Sequence, residues 1–147
     1  GDLSNQASMD YVFDVDRVTS FEDNTGPYIL YTIVRIKSIL TKYQAEGGCT
    51  CCVKMNGQVN ESQKALMLEL TKYNEVMENA YNELAPHKIC AYIYDLANAF
   101  NRFYHETKIL SEEDAKKQAC YIALLAVTKK VLEACIDMLG FEAPERM

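Results

Sequence analysis

No apolar run in this 147-residue sequence approaches the roughly 20 residues that cross a bilayer, so a helical membrane span is excluded. No signal-peptide pattern opens it, and the expected location is the cytoplasm. Catalytic signatures are missing too: there is no G-x-S-x-G, no phosphate-cradling glycine loop and no H-E-x-x-H. The acidic residues Asp14, Asp16, Glu22 and Asp23 lack the spacing of a calcium loop and read as solvated charge. Zinc needs four ligands, yet Cys49-Thr50-Cys51-Cys52 has no second cysteine pair, and His87 and His105 are remote in sequence. A redox C-x-x-C follows a strand and opens a helix, whereas this one follows Gly47-Gly48 in a loop. The expectation is no catalytic residue, no metal and no cofactor site in this chain. No tandem repeat is visible.

What remains is globular. A hydrophobic share of 49% and a charged share of 24%, over this length, suit one domain with a real core. The six cysteines do not resemble a secreted disulfide framework. Cys90, Cys120 and Cys135 sit singly in helical patterns and read as small apolar fillers in a reducing compartment. The net charge of −6 is unevenly spread. Residues 1–26 hold six acids and one base, net −5, which leaves 15 acids and 14 bases, net −1, for residues 27–147. Any nucleic-acid site must therefore be a local patch rather than a whole-protein field.

Tyr11 to Asp16 alternates weakly and predicts a short strand or extended segment. A first helix opens after Asn24 or Thr25, with Pro27 in its first turn and an apolar stripe of Ile29, Ile33, Ile36 and Leu40, and ends before Gly47-Gly48. Residues 45–60 read as a loop. A second helix starts near Asn60, with Gln63 placed for a capping box. It carries Ala65, Leu66, Leu70, Tyr73, Val76, Met77 and Tyr81 and breaks near Thr71–Asn74. A third spans about 87–105 on the stripe Ile89, Ile93, Leu96, Phe100 and Phe103. Ser111 with Asp114 predicts a capping-box start for a fourth, which Gly140 stops. Four to five long helices with short connections make an all-α, antiparallel helical bundle.

Two helices carry a second face. Tyr28, Tyr31, Arg35, Ser38 and Lys42 align on the first, and Tyr94, Asn98, Asn101 and His105 on the third. Tyrosines interleaved with cations suit RNA: cations meet phosphates, and rings stack on unpaired bases. Asparagine can read base edges, and a histidine can stack or donate. The plainer readings are a second helix–helix contact and an ordinary polar surface, and periodicity by itself favours them. A free-standing protein-interaction module, dimerising through the Tyr28/Tyr31 face, is the alternative function. A metal or redox protein using Cys49, Cys51 and Cys52 is a third.

The run Asn24-Thr25-Gly26-Pro27-Tyr28-Ile29-Leu30-Tyr31-Thr32-Ile33-Val34-Arg35-Ile36 resembles the helix that opens the anticodon-binding domain of arginyl-tRNA synthetases, where N-T-x-x-Y-x-x-Y-x-x-x-R-I recurs. Three further stretches are similar in the same order. Phe13-Asp14-Val15-Asp16 with Ser20-Phe21-Glu22 resembles the lead-in segment. Tyr92-Ile93-Tyr94-Asp95-Leu96-Ala97 with Phe100-Asn101-Arg102-Phe103-Tyr104 resembles the third-helix signature. Leu139-Gly140-Phe141-Glu142-Ala143-Pro144-Glu145-Arg146-Met147 resembles the family's chain end. The resemblance implies a class I ligase, using ATP with magnesium, whose catalytic domain lies before Gly1. Residues 1–23 would then be a connecting segment and 24–147 the helical anticodon-binding domain. The implied partners are the anticodon stem-loop of the arginine tRNA and the parent's catalytic domain, with no membrane and no DNA. RNA contacts are expected from Tyr28, Tyr31, Arg35, Lys42, Asn98, Asn101, Arg146 and Met147. Cys120-Tyr121 stands where many relatives have Arg-Leu, which would pass that role to Lys129 or Lys130.

Overall fold

The computed structural model describes residues 3, 5–10, 12, 14–19, 25–48, 59–140 and 142–147, which lie in helices and connections without a strand. In chain order the helices are α1 (Val15–Thr19), α2 (Gly26–Ala45), α3 (Glu61–Thr71), α4 (Tyr73–Asn82), α5 (Pro86–Glu106) and α6 (Ala115–Met138). The Cys49-Cys51-Cys52 loop lies outside the described residues, as do Tyr11 and Phe13.

Local chemistry sets the boundaries. Thr25 caps α2, its hydroxyl accepting from the Tyr28 N–H at 3.3 Å, with Pro27 in the first turn. Asn60 caps α3, accepting from the Gln63 N–H at 2.7 Å. The return half of the expected capping box is not made, because Gln63 Oε1 is buried without a hydrogen-bond partner. The expected break falls at Lys72, whose N–H bonds back to Glu69 O at 3.2 Å in a tighter turn.

Two expectations are corrected. The segment predicted as extended instead begins α1 at Val15 and Asp16. Asp14 Oδ1 accepts from the Asp16 N–H at 3.0 Å, and this local bond turns the chain into a helix that alternation could not anticipate. At α6 the cap is Asp114, not Ser111, since its carboxylate reaches the Lys116 N–H at 2.9 Å and the Lys117 N–H at 3.5 Å. An anion there also faces the positive end of the helix dipole.

Helix α5 is the centre of the bundle, packed against α2, α3, α4 and α6. Cross-links give the directions. Tyr92 OH donates to Glu69 O at 2.8 Å, and Asn60 Nδ2 donates to Thr107 Oγ1 at 3.3 Å, so α3 runs antiparallel to α5. Tyr28 bonds Asn98 and Arg35 bonds Asn101, so α2 runs in the same direction as α5.

The stripe on α5 is buried as expected, joined by Tyr92 and Ala97. On α2, Ile29, Ile33 and Ile36 are buried, Leu40 is half-buried, and Ile39 and Thr32 join the core. Tyr81, expected on the apolar face of the second helix, is 79% exposed near the end of α4. Cys120 and Tyr121 are buried between helices, so neither is placed to touch a macromolecule.

Two outcomes follow from this core. Phe100→Ala should cost about 3–5 kcal/mol of stability in urea unfolding, from lost burial plus the cavity left at the hub. Burial pushes the Cys135 thiol up to about 12, so at pH 8 it carries almost no thiolate. Peptide mapping after iodoacetamide treatment should find Cys135 unmodified in the native protein and modified in urea.

Candidate nucleic-acid interface

Because α2 and α5 run the same way, the two polar stripes face each other, and the long Arg35 side chain shares Asn101 with Tyr28. Tyr28 meets α5 at Asn98 and Asn101, and two turns later Arg35 meets Asn101 and Tyr104. Tyr28 OH donates to Asn98 Oδ1 at 2.7 Å and accepts from Asn101 Nδ2 at 2.9 Å. The same Nδ2 donates to Thr32 Oγ1 at 3.3 Å, and Thr32 donates onward to Tyr28 O at 3.0 Å. Asn101 Oδ1 accepts from Arg35 Nη1 at 2.8 Å. Both hydrogens and one acceptor site of the Asn101 amide are thus committed within the protein. The Tyr28 ring leans on Tyr94, centroids 6.0 Å apart.

Arg35 is held between two rings. Its guanidinium carbon lies 4.7 Å from the Tyr31 centroid and 4.8 Å from that of Tyr104. Arg35 Nη2 also donates to Tyr31 OH at 3.1 Å. Such a cation–π sandwich orients a charge without neutralising it. Among the described residues, no carboxylate forms an ion pair with it. Tyr31 stays 43% exposed and Tyr104 37%, so both rings keep a face toward solvent.

Two grooves meet at this stack. The first, of 690 Å³, is lined by Tyr28, Tyr31, Arg35, Asn101, His105 and Met147. The second, of 570 Å³, brings Ser38, Lys42, Thr107 and Lys108 alongside Arg35 and Tyr104. Among the described residues, no aspartate or glutamate side chain lines either groove. In a chain of net charge −6, these are places where positive potential can build.

The predicted site residues divide accordingly. Tyr28, Tyr31, Arg35, Asn101 and Met147 converge on the first groove, and Lys42 lines the second. Asn98 is exposed and bonded to Tyr28 rather than lining either groove, and Arg146 is exposed on the tail after α6. Lys130 is exposed on α6, while Lys129 sits 3.7 Å from Glu133 in an ion pair. Periodicity missed Thr32, Thr107 and Lys108. The last two lie in the α5–α6 connection, where no repeat marks a face.

The profile described as DALR anticodon binding domain matches residues 29–147. The chain belongs to the DALR anticodon-binding domain family. An arginine–tRNA ligase of Agathobacter rectalis is 68% identical to this DALR domain, covering 100% of the chain and 25% of the relative. One of Alkaliphilus oremlandii is 53% identical, again over 100% of the chain and 25% of the relative. The chain thus spans about a quarter of the length of the curated relatives it matches. The crystal structure of arginyl-tRNA synthetase from Plasmodium falciparum superposes with a TM-score of 0.81 at 26% identity, over 99% of this chain and 25% of that one.

The DALR domain's network yields a stability test. Asn101→Ala removes one partner each from the half-buried Tyr28 hydroxyl and Arg35 guanidinium and one from the buried Thr32 hydroxyl, and should cost about 1–3 kcal/mol. Asn98→Ala, at an exposed position, should cost less than about 1 kcal/mol. Urea unfolding of both variants decides, and equal losses would show that Asn101 is not the centre of the network.

Proposed function

We propose that this domain recognises and positions the arginine tRNA by its anticodon stem and loop, as part of an arginine–tRNA ligase. The observation that carries the reading is Arg35 clasped between Tyr31 and Tyr104, at the junction of two grooves with no aspartate or glutamate among their described lining residues. The kinship with arginine–tRNA ligases supports the same reading.

The two grooves divide the work. In the first, the exposed faces of Tyr31 and Met147, with His105, offer stacking surfaces to unpaired bases. In the second, Arg35, Lys42 and Lys108 meet phosphates, with Ser38 and Thr107 as hydroxyl donors. Asn98 and Asn101 act indirectly, by fixing Tyr28 and Arg35, and Arg146 adds charge from the tail. With Tyr28 committed inside the protein, the Tyr28/Tyr31 face offers less to a dimer partner than its sequence suggests. Bond formation belongs to the parent's catalytic domain, where ATP and magnesium would activate arginine. Among the described residues, no group of three His, Cys, Asp or Glu side chains comes together, and no step is assigned to them. A cytoplasmic location follows from the same function, and among the described residues no helix is long and apolar enough to cross a membrane.

Binding of arginine tRNA, titrated against salt, tests this. Three phosphate contacts on single-stranded RNA give a log–log slope of about −2, and Lys42→Gln or Lys108→Gln should each reduce it by about 0.7. Arg35→Ala, which dismantles the stack, should weaken binding at least about tenfold, or 1.4 kcal/mol. Binding indifferent to salt and to Arg35 would refute the reading. The chain alone should neither charge tRNA with arginine nor show arginine-dependent ATP turnover, and measurable turnover would overturn the assignment of chemistry to another domain.

A further inference from the structure

Lys37 lies on α2 two residues beyond Arg35. At about a hundred degrees per residue it points to nearly the opposite side of the helix. Its ammonium faces four oxygens. Nζ donates to Ala143 O at 3.3 Å, to Pro144 O at 3.4 Å and to Glu145 Oε1 at 3.0 Å, and lies 3.4 Å from Glu133 Oε1 on α6. The Lys37 side chain is 11% exposed, against 88% for Glu145. Burial by itself would lower its pKa, but the hydrogen bonds and charges of Glu145 and Glu133 outweigh burial and raise it, so the ammonium keeps its charge.

We propose that Lys37 is a positioning residue of the RNA site: it pins the segment after α6 across α2, so that Met147 is delivered to the groove on the far side. This rests on the RNA-binding function proposed above. Glu133 alone would satisfy the charge of a lysine packed between α2 and α6. The bonds to two consecutive tail carbonyls add what an ion pair does not need, a fixed path for the backbone. Reach shows the consequence. Counted from Leu139, which caps the end of α6, Met147 is eight residues away, and an extended chain of that length spans up to about 29 Å. Counted from a pinned Glu145, it is two residues away and can stray only about 7 Å. Met147 is 56% exposed where it lines the groove, so its own contacts hold it weakly. The anchor, not the contact, keeps it there.

The experiment combines Lys37→Leu, Met147→Ala and the double variant, measured for arginine tRNA binding and, with labelled methionine methyls, by NMR. Lys37→Leu should weaken binding about five- to tenfold, Met147→Ala by the same factor, and the double variant by no more than either. Lys37→Arg, which keeps a donor for the carbonyls, should retain most of the affinity. The Met147 methyl resonance, shifted by the Tyr28 and Tyr31 rings in the unaltered protein, should move to the position of a mobile methionine in Lys37→Leu. Glu145→Ala removes one leg of the anchor at an exposed position, leaves the bundle folded and should lose part of the same factor. Additive losses, or a Met147 methyl unmoved by Lys37→Leu, would overturn the proposal. So would a methyl that moves while tRNA affinity stays the same. If the unaltered protein binds no arginine tRNA, the RNA-binding function itself fails and this proposal with it. That outcome is distinct from unaltered binding that Lys37→Leu does not change.

Discussion

The Asn101 amide projects from a helix whose other side is the centre of the core, and it meets Tyr28, Thr32 and Arg35 of a second helix. Three hydrogen bonds from one rigid amide leave little freedom in how α2 lies along α5. They set its register, which places Arg35 level with Tyr104, and its rotation, which turns Tyr31 outward. The apolar stripes hold the same two helices in the bundle, but burial is non-directional and would tolerate a small slide or roll. Directional bonds between half-buried groups would not, because a slide leaves donors and acceptors unpaired where water reaches them poorly. The grooves therefore inherit their shape from a polar contact laid over a greasy one.

Charge follows the same economy of placement. The protein is acidic overall, and most of that acidity lies before Pro27. Lys37, Lys64, Lys72, Lys88, Lys129 and Arg102 are paired with glutamates. Arg35, Lys42 and Lys108 line the second groove without such a partner among the described residues. A polyanion approaching this groove meets three cations that no glutamate among the described residues offsets. At physiological salt the Debye length is about 8 Å, so charges within that distance of the groove dominate what a bound phosphate feels. A protein of the wrong overall sign can thus hold a phosphate backbone along one line.

The parts of this arrangement that periodicity can carry were legible in the sequence. The isoleucine stripe of α2 and the apolar stripe of α5 are buried almost as written, and the break at Lys72 fell where expected. Each polar face was visible on its own helix as well. What pattern does not contain is the relation between two helices. Nothing in the spacing of Tyr28, Tyr31 and Arg35 says that Asn101 lies opposite, or that the two helices run in the same direction. For Tyr28 the plainer reading was in part right: it does fill a helix–helix contact, and by doing so it shapes the groove. Lys108 and Lys37 carried no signal, one lying in a connection and the other off every stripe. Tyr81 misled in the other direction, since Ala80 rather than Tyr81 continues the buried face of Tyr73, Val76 and Met77 into the end of α4.

The mixture of committed and open groups is what a recognition surface for flexible RNA requires. Loop nucleotides lose conformational freedom on binding, and any protein side chain ordered at the same moment adds roughly 0.5–1.5 kcal/mol to that loss. Arginine and methionine are among the side chains with most freedom to lose. Here the arginine is already ordered by two rings and an asparagine, and the methionine is held near its groove by a backbone pinned two residues earlier. The groups left facing outward are π-faces and cationic edges, which accept many bases and any phosphate. Under the proposed function, sequence discrimination comes from shape, from which nucleotide fits against the Tyr31 ring with Met147 beside it. That geometry depends on the tail as much as on the bundle.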